Sequence, residues 1–346
     1  MDGQKLDFSC DYLEGAHPRI LEKLVKTNLE KMAGYGLDPI SSSARERIRK
    51  ACACPGAEVQ FLEGGTQANA LMISCLLNPW EGVIAPSSAH VSVHEAGAIE
   101  AGGHKVLPLP SEDGKLSASQ ITSFMTGFLS DANHEHMVEP GLVYISQPTE
   151  YGTIYSLGEL EAISRACRSN QLRLYVDGAR LAYALGSPEN DVGLADLARL
   201  CDAFYIGGTK CGALLGEAAV VPDPKLIPHF FTRIKQHGAL LAKGRILGAQ
   251  FDELFKGGLY LEIGKKADAQ ARRIEGRLRE RGIRLLFESP TNQVFFILTS
   301  AQMDRLGEQC EFSFWEWRDG GKSAVVRLAT SWATRDEDLE TLLGIL

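Results

Sequence analysis

Leu172–Arg180 reads LRLYVDGAR, and Tyr205–Gly212 reads YIGGTKCG. The first is an apolar strand that ends in a carboxylate, Asp177, with Arg180 three residues on. The second continues the apolar run Ala203–Ile206 and reaches Lys210 between glycines. Strands this apolar belong to sheets covered on both faces. The same pattern extends outward. Ala57–Leu62 (AEVQFL) reads as a strand and Gln67–Leu77 as the helix after it. Gly82–Pro86, His104–Leu109, Leu142–Ser146 (LVYIS) and Glu217–Val221 read as further strands, with a helical stretch at Leu157–Arg168. Strands separated by helices argue for an α/β fold with a mainly parallel sheet. Ligands of such sheets bind beyond the carboxyl ends of the strands, where Asp177 and Lys210 fall.

The flanks differ. Residues 1–45 are rich in turn formers: Gly15, Pro18, Gly34, Gly36 and Pro39. From about residue 258 the chain gives a basic helix (Ala267–Arg281), strands at Gln293–Leu298 and Ala324–Ala329, and an acidic final helix. This predicts a smaller α+β domain, with the N-terminal piece packed against it. Leu240–Leu254 reads as a long helix joining the two parts.

A length of 346 residues fits two domains at roughly 150 residues each. The 45% apolar content excludes a disordered chain. Lys+Arg is 36 and Asp+Glu is 44, a net charge of −8 that disfavours nucleic-acid partners. No apolar run is long enough for a membrane span, and MDGQKLDFSCDYLEG has no basic-then-apolar signal segment. Cys10, Cys52, Cys54, Cys75, Cys167, Cys201, Cys211 and Cys310 form no C-x-x-C pair, and most of them read as buried thiols of a reducing cytoplasm.

Three segments carry chemistry. Gly64-Gly65-Thr66-Gln67 lies between a strand and a helix. Its glycines admit an anion close to the backbone, and Thr66 can cap the helix or offer its hydroxyl to a phosphate. A plain capped turn remains the alternative, since neither the P-loop nor the dinucleotide pattern is met. Asp177 needs a cationic partner, which a protonated heterocyclic nitrogen or Arg180 would supply. Lys210, if buried, gains a free lone pair for attack on a carbonyl, or it tethers an anion. Together these are the handles of pyridoxal 5′-phosphate: a phosphate cradle, a partner for the ring nitrogen and an amine for the aldehyde. His90 and His94 share a helix face but lack a third ligand, so no metal is expected. His134-Glu-His136 reads as a solvated loop.

The chain resembles the threonine aldolase and β-eliminating lyase branch of the aspartate-aminotransferase-like, fold type I enzymes. The resemblance runs nearly end to end through DFSCDYLEGAHPRIL, YGLDP, FLEGGTQANALMISCLL, AHVSVHEAGAIEAGGHKV, VYISQPTEYGTIYSLGELEAI, LYVDGARLAYAL, YIGGTKCGALLGEA, GALLAKGRILGAQF and VVRLATSW. It implies a mainly parallel seven-stranded sheet with helices on both faces. It implies a large domain over 46–255 and a small domain from 1–45 and 256–346. It also implies pyridoxal 5′-phosphate, a cytoplasmic homotetramer built as a dimer of dimers, and no nucleic-acid or membrane partner. The implied reaction is retro-aldol cleavage of L-threonine or L-allo-threonine to glycine and an aldehyde. The alternative is β-elimination, transamination or racemisation on the same cofactor.

Residue by residue, the resemblance makes Lys210 the cofactor-bonding lysine and Asp177 the ring-nitrogen partner. Gly65 and Thr66 become the phosphate cradle, and Arg180 lies near the cofactor oxygen and the substrate. His90 becomes the ring-stacking histidine, and Ser9 and Arg327 the carboxylate holders. Tyr35 becomes a group contributed across a subunit interface, and Lys243 or Arg245 a second phosphate contact. An arginine fork at Arg327 suits bidentate carboxylate binding on its own chemistry. The sequence departs from the resemblance at Gln147-Pro-Thr-Glu-Tyr-Gly152, where many threonine aldolases carry a histidine. Glu150, His90 or a water is then the candidate base for the substrate hydroxyl.

Overall fold

Asp177 closes the strand Arg173–Asp177 near the middle of a seven-stranded sheet. The protein is described here by a computed structural model covering residues 5–346. Residues 1–4, part of the start read above as lacking a signal segment, lie outside the described residues. Across the sheet the order is Glu58–Leu62, Glu217–Val221, Ala203–Gly207, Arg173–Asp177, Glu139–Ser146, Glu81–Pro86 and Val106–Leu109. All run parallel except Glu217–Val221, which opposes both its neighbours. Its reversal matters for the site. The first residue of that strand, Glu217, pairs with Leu62 and Gly207, which end theirs. Ser146 pairs with Asp177 in the same way. One edge of the sheet therefore collects Leu62, Ser146, Asp177, Gly207 and Glu217.

Alternate residues of each strand point to opposite faces. Val143, Ile145, Leu174, Val176, Phe204 and Ile206 enter one apolar cluster. Leu142, Tyr144, Tyr175, Ala203 and Tyr205 enter another. Burial on both sides explains why the sequence reads as unbroken apolar runs. Tyrosines at this depth still need hydrogen-bond partners, and those partners shape the site below.

A three-stranded antiparallel sheet, Ser313–Arg318, Ser323–Ala329 and Gln293–Thr299, forms the smaller unit with the helices Leu259–Glu280 and Asp336–Ile345. The strand Ser313–Arg318 (SFWEWR) was not foreseen, because its burial is mixed and its face carries exposed Phe314 and Trp317. Residues 5–45 divide between the two units. Leu6–Asp7 pairs with Cys310–Glu311, and Phe8 enters the small core. Ile20, Ala44 and Ile48, on the helices Pro18–Thr27 and Pro39–Ala51, enter the core of the large sheet instead. Their apolar stripes face that sheet, so the expected grouping of the whole segment with the small unit does not hold for the helices.

The helix expected over Leu240–Leu254 runs only over Arg245–Leu254. The residues before it turn at Gly244. A Cβ at Gly244 would stand 2.6 Å from the Gly36 nitrogen, so the close approach of the two loops requires glycine there.

Candidate active site

A cavity of about 300 Å³ opens at the sheet edge described above. Gly64, Gly65, Thr66, His90, Glu150, Asp177, Arg180 and Lys210 all lie on its wall. So do Tyr12, Ser146, Tyr205, Thr209 and Glu217.

The glycine-rich turn becomes the start of the helix Gly65–Leu76, with Gly64 as the cap residue. Thr66 is therefore not the cap, contrary to one of the two expectations for it. Its hydroxyl makes no hydrogen bond among the described residues. The N–H groups of Gly65, Thr66 and Gln67 have no partner in the helix's own ladder, as in any first turn. They offer donors and the positive helix end to an anion. A Cβ on Gly65 would come within 3.2 Å of the Tyr205 hydroxyl, so the cradle and the Asp177 environment share their space.

Asp177 is buried and ionised. Burial pushes its carboxyl up, but donors outweigh that and hold it below the usual carboxylate value. Tyr144 donates at 2.6 Å, Tyr205 at 2.5 Å, the Asn69 amide at 3.0 Å and the Ala179 N–H at 2.9 Å. Tyr144 and Asn69 are not distinguished by any motif in the sequence. Polar side chains inside apolar runs were the available signal.

Lys210 sits past the strand Ala203–Gly207, with Tyr183 holding its carbonyl at 2.6 Å. Burial and the Arg180 guanidinium pull its amine below the ordinary lysine value. Its nitrogen is 5.9 Å from the Tyr12 ring centroid. Beside it, Glu217 accepts from the Thr209 hydroxyl at 2.8 Å and the Gly208 N–H at 3.1 Å. Burial pushes the Glu217 carboxyl up to about 8 despite those bonds.

The two arginines have different status. Arg180 is held in a fork by Asp11, at 2.7 and 2.9 Å. Asp11 is fully buried; burial raises its carboxyl, but Arg180 overrides that and brings it to about 2. Much of the Arg180 charge is spent inside the protein. Arg327, on the strand Ser323–Ala329, has no carboxylate partner among the described residues. It donates to Gln293, the Ser9 carbonyl and the Ser313 hydroxyl, and its Nε is buried without a partner. Arg327 does not line the cavity in this chain. Burial and then Arg180 lower its pKa, which marks it as a cation short of an anion.

His90 opens a short helix, His90–Val93. Its backbone N–H donates to Glu150 at 2.9 Å, and its Nδ1 meets Glu95 at 2.7 Å. Glu150 also accepts from Ser146 at 2.7 Å, while its Oε2 is buried and unpartnered. Burial raises the Glu150 carboxyl; the Ser146 bond opposes this and the nearby Asp177 charge adds to it. The loop is pinned from the small unit by Gln293, which donates to the Glu150 carbonyl.

Not every expected residue reaches the cavity. The Ser9 hydroxyl donates to Asp7 at 2.6 Å, so only its carbonyl serves Arg327. A carboxylate two residues away is the nearer acceptor, and it captures the hydroxyl. Tyr35 is 41% exposed, with the Lys235 ammonium 4.7 Å over its ring. Arg245 binds the carbonyls of Asn28 and Glu30 at the end of the helix Pro18–Thr27, and Lys243 is exposed. His134, half-buried against the Phe128 ring, and exposed His136 lie in a short turn outside the cavity wall.

The profile of the beta-eliminating lyase family matches residues 7–301. A low specificity L-threonine aldolase of Pseudomonas sp. (strain NCIMB 10558) is 31% identical over 349 residues, 99% of this chain and 97% of its own. The chain belongs to the beta-eliminating lyase family, in its threonine aldolase branch. Among solved structures, a threonine aldolase of Leishmania major is 43% identical, with a TM-score of 0.95 over 98% of each chain. An aspartate aminotransferase of Thermus thermophilus is 16% identical, with a TM-score of 0.71 over 99% of this chain and 91% of its own. That last likeness fixes the fold type of the family member described here.

Proposed function

We propose that this chain is a pyridoxal 5′-phosphate-dependent aldehyde-lyase. Its substrates are L-threonine, L-allo-threonine and related β-hydroxy-α-amino acids, and its products are glycine and an aldehyde. The observation that carries the reading is the pairing of Lys210 and Asp177 on one cavity wall. The lysine is pushed toward its neutral amine and the aspartate is held ionised.

The residues fit that cofactor. The free N–H groups of Gly65, Thr66 and Gln67, with the Thr66 hydroxyl, suit its phosphate. The space beside Gly64 is open, with no atom within 4 Å of a Cβ built there. Asp177 suits its ring nitrogen, and Lys210 its aldehyde. When bound, the cofactor supplies an electron sink for the bond that breaks at Cα.

The chain's own groups do the rest. Arg327 stands behind the cavity wall, close enough to the wall residue Tyr12 to act on its charge, and would take the substrate carboxylate and so orient the Cα bonds. Asp177 keeps a proton on the group it faces. Arg180, tied by Asp11, presents a fixed positive edge to the cavity. His90 or Glu150 accepts the proton of the β-hydroxyl as Cα–Cβ opens. Lys210, on the same wall, would return a proton at Cα from its ammonium form, having first taken one up.

The reading extends to the assembly. Tyr12, Leu13, Val25, Leu29 and Leu37 form exposed apolar surface near the cavity mouth and the first helices. That surface supports a homo-oligomer, taken here as a tetramer, in which Tyr35, Lys243 and Arg245 serve a neighbouring site. The eight unpaired cysteines support a cytoplasmic location. Among the described residues no helix is long and apolar enough to cross a membrane.

The test is incubation of purified protein, cofactor and L-threonine with aldehyde and glycine detection. Aldehyde well above a Lys210→Ala control supports the reading. Keto acid or racemised amino acid without aldehyde replaces it with another reaction of the same cofactor.

A further inference from the structure

Glu95 is a buried carboxylate beside the site that no step above uses. Its side chain is fully shielded from solvent. Its Oε1 meets the Nδ1 of His90 at 2.7 Å and accepts from the Asn69 amide at 2.7 Å. The same Asn69 nitrogen donates to Asp177 at 3.0 Å, and the Tyr175 hydroxyl donates to the Asn69 carbonyl at 3.1 Å. Both amide protons and the amide oxygen are thus committed, so the Asn69 orientation is fixed by its partners. Glu95 in turn cannot rotate away without breaking a link that reaches Asp177.

An ionised carboxylate only accepts hydrogen bonds. With Glu95 as the acceptor, the imidazole nitrogen 2.7 Å from it carries the proton. Neutral imidazole has one N–H, so the other nitrogen then bears the lone pair. For His90 that other nitrogen is Nε2, which has no hydrogen-bond partner among the described residues. The ring lines the cavity and is one-third exposed. We infer that Glu95 is the positioning residue that locks His90 in its Nδ1–H form and so makes Nε2 the proton acceptor for the substrate hydroxyl. The inference deepens the proposed reaction and rests on it for the identity of the proton that is moved.

The experiment is a double-mutant cycle on the cofactor-loaded enzyme, with Glu95→Gln, His90→Phe and the pair. A glutamine can donate to Nδ1 and so reverses the tautomer. Glu95→Gln is expected to lower kcat for threonine cleavage roughly 100-fold, the low end of general-base contributions. KM and cofactor affinity should stay within about threefold, since no binding group is removed. In the His90→Phe background the same change should cost nothing further. Equal losses in both backgrounds would mean Glu95 only supports the fold, and the inference falls.

Nitrogen NMR of histidine-labelled protein reads the tautomer directly. His90 should be protonated at Nδ1 in the wild type and at Nε2 in Glu95→Gln. Protonation at Nε2 in the wild type overturns the inference whether or not any variant folds. That spectrum also separates the two readings: a wild type without aldolase activity but with an Nδ1–H His90 sinks the reaction and keeps the tautomer lock. Glu95→Asp retains an acceptor-only partner and should recover part of the lost kcat; recovery no better than with glutamine counts against the lock.

Discussion

Asp177 and Glu150 share a cavity wall and are both buried, yet their acidities move in opposite directions. Asp177 receives two tyrosine hydroxyls, an amide and a backbone N–H. Glu150 receives one hydroxyl and one backbone N–H, and one of its oxygens has no partner. Asp268, on the helix Leu259–Glu280, extends the series: both its oxygens are buried and unpartnered, and burial pushes its carboxyl up to about 9. Burial alone does not set charge. The supply of donors does, and here it separates a permanent anion from a carboxyl that can take and give a proton.

The largest expected effect comes from removing the permanent anion. Asp177→Asn should lower kcat by roughly 100- to 1,000-fold, the scale of a lost electrostatic contact to a reacting group. Glu150→Gln should cost clearly less. Steady-state kinetics on both variants decide it, and equal losses would erase the distinction drawn between the two carboxylates.

Next is Tyr205→Phe, which takes one donor from Asp177. Its pKa then rises, so the ionised form is lost at a higher pH on acidification. The acid limb of the kcat/KM profile should move upward, with a loss of about tenfold below the new limb, the worth of one hydrogen bond to a charge. An unmoved limb would show that the remaining donors suffice.

Ser146→Ala acts on the other carboxylate in the same sense. It removes a bond that opposes the upward shift of Glu150, so the Glu150 pKa should climb further. If ionised Glu150 is the hydroxyl base, the acid limb rises by roughly one unit or less while the plateau stays within about twofold. A profile identical to wild type assigns the base to His90 alone.

The smallest effect is on stability. The folded pKa of Asp268 lies above its unfolded value of 3.8. Its contribution is therefore fully present below pH 3.8 and is lost as pH rises toward 9. Asp268→Asn removes that loss. Thermal unfolding should show equal Tm for variant and wild type near pH 4, and a variant clearly more stable at pH 8. A difference independent of pH would place the buried carboxyl outside the donor series.

Much of this architecture could be read directly. The strand from Glu217 to Val221 and the strands around Ile145, Val176 and Ile206 are unbroken apolar runs because both their faces are covered. Lys210, Asp177 and the Gly64–Gln67 turn announced themselves by sitting where such runs stop. Three things were hidden. Asp11 and Glu95 looked like ordinary acids, since nothing local distinguishes a solvated carboxylate from one folded against Arg180 or His90. The Ser9 hydroxyl was expected at the substrate, and Asp7, two residues back, claimed it. The reversal of Glu217–Val221, which brings Glu217 to the cavity, depends on pairing with two distant strands.

The chain's linear order was enough to specify which residue types carry reactive chemistry and which segments are buried, because both follow from side-chain polarity and its period along the backbone. Charge states, proton positions and the division of labour between Arg180 and Arg327 were decided only by folding. Each depends on donors and counter-ions brought from segments far apart in the chain, and local sequence holds no record of those distances.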